Sequence, residues 1–209
     1  MKQPYPDQVE TLIFTLEQAE LLASAQKAEV FWSFSPKEAR SINQIAKALG
    51  KSASATTYHV HELENAGMLI VAGERKKRSR MEKLYVHAAK SFYGQGHSAS
   101  EEYREKAVAA FGAMARLMVR ERQVVNETFD FDIGLSRYMA FGRFSQTVRP
   151  ERAEEFAQKV LKLIRDFTSE APDEDGARIS IVFNMSPTAG ESRKRLEELK
   201  KGGRKKSAL

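Results

Sequence analysis

The stretch of sequence that decides the fold is SINQIAKALGKSASATTYHVHELENAGML, which spans residues 41–69. Ser41 is a good helix N-cap, and Gln44 three residues later completes a capping box for a first short helix. Gly50 ends that helix, the next two residues make a short turn, and a second helix follows. Two short helices joined by a tight glycine turn predict a helix-turn-helix.

The second helix has two faces of different character. Thr56, Val60 and Leu63 recur at helical spacing, so we expect them to face the core, with Gly67 closing the helix in a left-handed conformation. The opposite face is polar, and it would enter the major groove, where hydroxyl, phenol and imidazole groups bond to base edges or phosphates. We expect the neighbouring His59 to pack rather than to read bases. With the turn, the predicted DNA-contacting residues are Lys51, Ser52, Ser54, Thr57, Tyr58 and His61.

A basic hairpin is predicted after this helix, with strands over Met68–Ala72 and Met81–His87 and a turn over Gly73–Arg80. The run ERKKRSR at residues 74–80 holds five Arg or Lys and one Glu. Such dense like charge favours solvent or DNA phosphates over packing, and it would supply salt-dependent affinity. The predicted contacts are Arg75, Lys76, Lys77, Arg78 and Arg80.

This order of features resembles that of the ArsR-type bacterial regulators. The resemblance covers roughly residues 16–86, and it is carried by the helix-LG-x-S turn, the step Tyr58-His59-Val60 and the charged hairpin. It implies a dimer that binds operator DNA, usually a repressor released by an effector. The family's thiolate metal site needs Cys, which this chain lacks, and His87 and His97 bring no carboxylate pair at ligand spacing. We therefore expect no metal, no cofactor and an unidentified non-metal effector, if any.

Composition narrows the classes of function. The chain has 209 residues, 42% of them hydrophobic, and a net charge of +6, which favours an acidic partner such as double-stranded DNA. No apolar stretch approaches the roughly 20 residues that cross a bilayer, and no signal-peptide pattern begins the chain, so we expect a cytoplasmic protein without membrane contact. No Ser-His-Asp order, phosphate-binding glycine loop or zinc-hydrolase motif stands out, so we expect no enzyme.

A long helix over residues 100–127 is predicted after a hinge at residues 94–98, with a capping box at Ser98 and Glu101. Apolar residues recur along it at spacings that approximate a heptad seam, which favours a homodimer over an internal core stripe. The predicted interface residues are Tyr103, Ala107, Phe111, Met114, Met118 and Val125.

The remaining chain predicts a small βαβ-like unit. Its elements are strands over Leu135–Val148 and Ala177–Met185 and a helix over Pro150–Ser169. The helix would turn Phe156, Val160, Leu163, Ile164 and Phe167 inward. Four aromatic residues either line an effector pocket or, as we favour, form ordinary core: Tyr138, Phe141, Phe144 and Phe183.

The predicted fold is therefore α+β, with an N-terminal winged helix-turn-helix domain at 1–93, a dimerisation helix and α/β unit at 94–190, and a flexible basic tail at 191–209. The predicted function is sequence-specific transcription regulation, as a dimeric repressor. An alternative is a winged-helix adaptor that binds proteins without reading DNA. A weaker alternative is a nucleic-acid enzyme with catalytic residues in the C-terminal half.

Overall fold

The computed structural model describes residues 5–77, 80–96, 99–128, 145–170, 181–186 and 192–194. The chain divides into two units, Met1–Ile133 and Gly134–Leu209. The first unit holds every described element except the last helix. No described helix is long and apolar enough to span a membrane.

The first two helices of the chain are α1 (Leu16–Ala23) and α2 (Ala25–Ser33). Thr15 and Gln18 form a capping box, in which each side chain accepts a hydrogen bond from the backbone N–H of the other. The Gln18 side chain also donates to the carbonyl of Ala66 at 2.8 Å. This bond ties the start of α1 to the end of the helix-turn-helix.

The helix-turn-helix consists of α3 (Ile42–Ala48) and α4 (Ala53–Asn65). The capping box at Ser41 and Gln44 is confirmed, and Gly50 and Gly67 both adopt positive φ, at 62° and 68°. These glycines end the two helices because a residue with a side chain rarely adopts that conformation. The core behind the motif joins α2, α3, α4 and the following strands through Phe31, Phe34, Ile45, Val60, Leu63, Met68 and Tyr85.

The wing is a three-stranded antiparallel sheet in the order β2 (Arg40–Ser41), β4 (Arg80–His87) and β3 (Leu69–Lys77). The predicted turn over residues 73–80 is wrong, because β3 continues through the charged run to Lys77 and β4 begins at Arg80. Charged side chains do not prevent this extension, because residues 74–77 and 80 are exposed while the backbones of the two strands still pair. A register shift lies between Val71 and Gly73.

A second sheet was not predicted. It pairs β1 (Val9–Ile13) in parallel with β5 (Ala89–Tyr93), two strands separated by most of the first unit. Beside it, the amide of Gln8 donates to the carbonyls of Pro36 and His87. The chain entering the first helix is thus attached to the strand that leaves the wing.

The long helix α5 (Glu101–Thr128) is confirmed, but the predicted domain boundary at residue 93 is not where the chain divides. Helix α5 packs along α1 and α2, and Lys106 pairs with Glu20 of α1 at 2.7 Å. It belongs to the first unit because one of its faces completes the core of the winged helix.

The second unit contains α6 (Pro150–Ser169), which matches the predicted helix and has Pro150 in its first turn. Three of the residues predicted to face inward, Phe156, Leu163 and Phe167, are exposed. Residues 181–186 and 145–148 join no strand, which corrects the described parts of the two predicted strands. Phe183 is exposed as well, and Tyr138, Phe141, Phe144 and residues 195–209 of the basic tail lie outside the described residues.

Candidate nucleic-acid interface

Helix α4 has the two faces that the sequence predicts. Thr56, Val60 and Leu63 have no solvent exposure, and Thr56 Oγ1 also donates to the carbonyl of Ser52 at 3.0 Å. On the outer face, the side chain of Tyr58 is large and apolar yet Tyr58 is 62% exposed. A tyrosine has an apolar ring and a polar hydroxyl, so an exposed one can contact both apolar and polar groups of a partner.

Several outer residues of α4 already make local bonds. Ser52 caps the helix by accepting from the N–H of Ala55 at 3.3 Å, and Thr57 donates to the carbonyl of Ala53 at 2.7 Å. His61 lies 3.2 Å from a carboxylate oxygen of Glu64. The exposed Ser54 lies 3.4 Å from the Ser52 hydroxyl. Tyr58, although largely exposed, also has a side-chain hydrogen bond to Glu62, so the side chains of the outer face are held by local bonds.

Lys51 is placed differently from the prediction. Its ammonium pairs with the carboxylate of Glu29 on α2, which also accepts from Arg120 on α5. Burial lowers the pKa of Lys51. The lysine thus neutralises a buried acid while 24% of its side chain stays exposed, and its predicted contact with DNA stays a prediction.

The two faces of the wing carry different residues. Arg75 lies opposite Glu82 and Lys77 opposite Arg80, on one face, while Glu74 lies opposite Lys83 and Lys76 opposite Met81, on the other. Within the described residues, Lys76 and Arg80 make no ion pair, and both are exposed. Arg78 lies outside the described residues.

Glu82 is a residue of the interface that the sequence reasoning missed. Its carboxylate accepts from Arg75 at 2.9 Å and from the amide of Asn43 at 3.0 Å, and Lys77 lies at 4.0 Å. The same Arg75 guanidinium donates to Gln44 at 3.2 Å. These hydrogen bonds, those of Arg75 above all, lower the pKa of Glu82 to about 2.

A groove connects the helix-turn-helix to the wing. Its floor contains the buried Tyr85. Burial of this phenol, followed by the charge of Glu64 and the hydrogen bond to it, raises the pKa of Tyr85 to about 12. Lys83 and Asn43 also line the groove, and the sequence reasoning missed both. Lys83 was missed because the hairpin was predicted to turn at residues 73–80, whereas in the structure Lys83 pairs with Glu74 in the sheet. The groove is lined by Ile42, Asn43, Thr57, His61, Glu82, Lys83 and Tyr85.

The other histidines of the described chain are structural. His59 lies 3.5 Å from Glu62 and is mostly buried, in agreement with its predicted packing role. His87 is buried, stacks on Phe31 with ring centroids 4.5 Å apart, and has Nε2 2.9 Å from the Phe31 carbonyl. Among the described residues, no group of three or more His, Asp or Glu is placed to hold a metal ion.

The predicted dimer residues on α5 divide between two faces. Tyr103 and Ala107 pack against α1 of the same chain, so this structure assigns them to the core and not to an open seam. Met114 is half-buried, whereas Phe111 is 50% and Met118 40% exposed. Val125 lies on the helix, but its side chain is outside the described set. Two residues outside the predicted set, Val108 and Val119, extend the exposed apolar face.

No protein-family model and no curated protein matches the chain. Among solved structures, the adhesin competence repressor from Streptococcus pyogenes aligns with 70% of this chain and 82% of its own, at 12% identity and a TM-score of 0.25. A MarR-family transcription regulator aligns with 75% and 82%, at 14% identity and a TM-score of 0.27. The multiple antibiotic-resistance repressor from Listeria monocytogenes aligns with 74% and 82%, at 11% identity and a TM-score of 0.25. Scores this low establish neither a shared fold nor a shared function, and the ArsR-type resemblance stays a prediction.

Proposed function

We propose that this chain is a sequence-specific, double-stranded-DNA-binding regulator of transcription that acts as a homodimer. The observation that carries the proposal is the division of α4 into a fully buried face and an exposed polar face with Tyr58 at its centre. An α-helix with such a face fits the major groove, where hydroxyl and aromatic groups meet base edges and thymine methyls.

The wing supports the same proposal through its charge. Lys76, Lys77 and Arg80 are exposed near the tip of the β3–β4 hairpin, and Lys83 lies beside the groove that leads to α4. Cations in this position contact phosphates and release counterions, which gives affinity that falls with salt but carries little sequence information. In this proposal α4 determines which DNA sequence is bound, and the wing orients the protein on the duplex.

The dimer is proposed through the outer face of α5. Val108, Phe111, Ala115 and Met118 follow one another at spacings of three, four and three residues, which is the heptad pattern of a two-helix seam. Three of the four are exposed large apolar residues, so pairing with a second copy would remove them from water. This seam keeps Phe111 and Met118 of the predicted interface and replaces Tyr103 and Ala107.

Repression and release by a non-metal effector complete the proposal. Both are implied by the resemblance to ArsR-type regulators, and the outer face of α4 is the surface on which a repressor would hold its operator. The groove beside Tyr85 is assigned in this proposal to the DNA-facing surface, because Thr57 and His61 of α4 line it.

The deciding experiment is selection of genomic fragments by the purified chain, followed by anisotropy titration of a selected duplex and of a shuffled duplex at several salt concentrations. A selective complex that weakens steeply with salt supports the regulator. Equal binding to both duplexes would contradict sequence-specific reading. Failure to bind either duplex, together with tight binding to a protein, would assign the chain to the adaptor class instead.

A further inference from the structure

Glu82 is an acid in the middle of a surface built for phosphates. It lies on β4, beside the groove that joins α3 and α4 to the wing. A carboxylate at a DNA interface repels phosphates and weakens binding. An acid at this position therefore needs another role to explain it. Its side chain is only 11% exposed, which shows that the surrounding groups enclose it.

The enclosing groups come from three elements. Asn43 and, through Arg75, Gln44 belong to α3, Ser41 belongs to β2 and caps α3, and Arg75 belongs to β3. Arg75 is the cross-strand neighbour of Glu82, so the ion pair is fixed by the strand register and not by a chance rotamer. Glu82 therefore joins the wing to α3 directly, through Asn43, and indirectly, through Arg75 and Gln44.

This arrangement changes the role of Arg75. Its guanidinium donates to Glu82 at 2.9 Å and to Gln44 at 3.2 Å, so two of its donors are directed to protein acceptors. Lys76, the next residue, lies on the other face of the hairpin and is open to solvent. Two adjacent exposed cations thus differ in their partners: Arg75, whose side chain is 44% exposed, is engaged by Glu82 and Gln44, whereas Lys76 makes no ion pair within the described residues.

We propose that Glu82 is a specificity-determining positioning residue, which holds the wing against α3 and withholds the charge of Arg75 from phosphates. This inference rests on the proposed DNA-binding function. Glu82 lowers affinity for every duplex by removing one phosphate contact. It raises the ratio of operator to random binding, because it keeps the wing and α4 in the one arrangement that fits an operator, whereas a released Arg75 would bind phosphates of any duplex.

Glu82→Gln tests the inference, because the amide keeps the shape and removes the charge that holds Arg75. Arg75 then becomes available to phosphates, and the slope of log affinity against log salt for random DNA steepens by about 0.9. Over a fourfold change in salt this adds about a threefold loss of affinity. Random DNA binds more tightly at low salt, and the ratio of operator to random binding falls.

Two further variants isolate the cause. Arg75→Ala combined with Glu82→Gln should return the slope to the wild-type value, since the released cation is absent. Glu74→Gln is the matched control: it removes the same charge from the same hairpin, but Glu74 lies on the other face, opposite Lys83. An unchanged slope in Glu82→Gln, an equal change in Glu74→Gln, or a steeper slope that persists without Arg75 would each overturn the inference.

Acid unfolding without DNA separates this inference from the proposed function. The pKa of Glu82 is about 2 in the folded chain against an ordinary 4.5, so its ion pair adds stability above pH 4.5 that is lost as the pH falls towards 2. Glu82→Gln should flatten the fall in unfolding free energy in this window. If it does, and no duplex is bound selectively, the proposed function fails although the ion pair is real. If the fall in unfolding free energy is the same in the variant, the positioning role of Glu82 is refuted, regardless of the DNA-binding results.

Discussion

Arg75 and Lys76 are neighbours in the chain with opposite surroundings, and strand register is the cause. The sequence shows a run of like charges at residues 74–80 and predicts equivalent cations in a loop. The strands continue through the run, so alternate side chains face the helix-turn-helix or solvent. The composition of residues 74–80 predicted that the wing is basic. It could not predict which cations face solvent, because that depends on where the hairpin turns.

The exposed wing cations should act on all duplexes alike. Replacing Lys76, Lys77 and Arg80 together by Ala should weaken operator and random DNA by similar factors, because these side chains meet phosphates. The salt slope should fall by about 0.9 for each lost contact. Anisotropy titrations at four salt concentrations measure it. Lys90→Ala on β5, where the lysine pairs with Glu10, is the control and should leave the slope unchanged.

Tyr58 should act on specificity. Its ring is 62% exposed, so Tyr58→Ala removes contact area with DNA while leaving the buried face of α4 intact. We expect discrimination between operator and mismatched DNA to fall by about 1–3 kcal/mol, with little change on random DNA. Competition titrations with the two duplexes measure the difference. An equal loss on both would place Tyr58 at the phosphate backbone, and a loss of thermal stability would show a packing role.

At the scale of elements, local sequence signals were sufficient to predict the helices but not to predict which strands pair. Ser41 with Gln44 and the two positive-φ glycines specify α3 and α4 within a few residues of sequence. The pairing of β1 with β5 joins segments far apart in the chain, and a single sequence gives no sign of such a partner. Helix α5 was located correctly, but its inner face is largely alanine, so the apolar pattern did not show which side meets α1.

Substitutions at Gly67 test whether a positive φ is the reason for a glycine at the end of α4. This glycine adopts a φ of 68°, and a Cβ there would meet no atom within 4 Å, so only backbone strain opposes a side chain. Gly67→Ala should lower the free energy of unfolding by about 1–2 kcal/mol, and Gly67→Asn by less. Urea denaturation measures both. Gly96→Ala has equal space and no positive φ, and it should be neutral or slightly stabilising. Equal effects at both glycines would refute the strain argument.

At the scale of the whole molecule, the buried Glu29 connects the turn before α4 to α5, the two parts of the first unit to which DNA reading and dimerisation are assigned in the proposal. Its carboxylate, 7% exposed, pairs with Lys51 before α4 and with Arg120 of α5. Removing either cation would leave a buried charge partly uncompensated, so the two helices are held in one arrangement. A second copy that binds the outer face of α5 therefore has a fixed position and orientation relative to α4.

That relation leads to a prediction about assembly. If the outer faces of α5 pair, two copies of α4 are related by a two-fold axis and can address half-sites about 34–36 Å apart on one side of the duplex. Phe111→Asp places a charge in the proposed seam, where burial without a partner is costly. Because Phe111 is half exposed within its own chain, the variant should fold normally and dissociate.

Sedimentation equilibrium at low micromolar concentration, paired with operator titration, should give a folded monomer that binds the operator far more weakly than the wild-type dimer. Leu163→Asp is the matched control, since Leu163 is an exposed apolar residue on α6. It should leave both the dimer and operator binding unchanged. If Phe111→Asp stays dimeric while Leu163→Asp dissociates, the interface lies on α6. If neither variant dissociates, the subunits meet through a surface that contains neither residue, and the geometry derived from α5 is wrong.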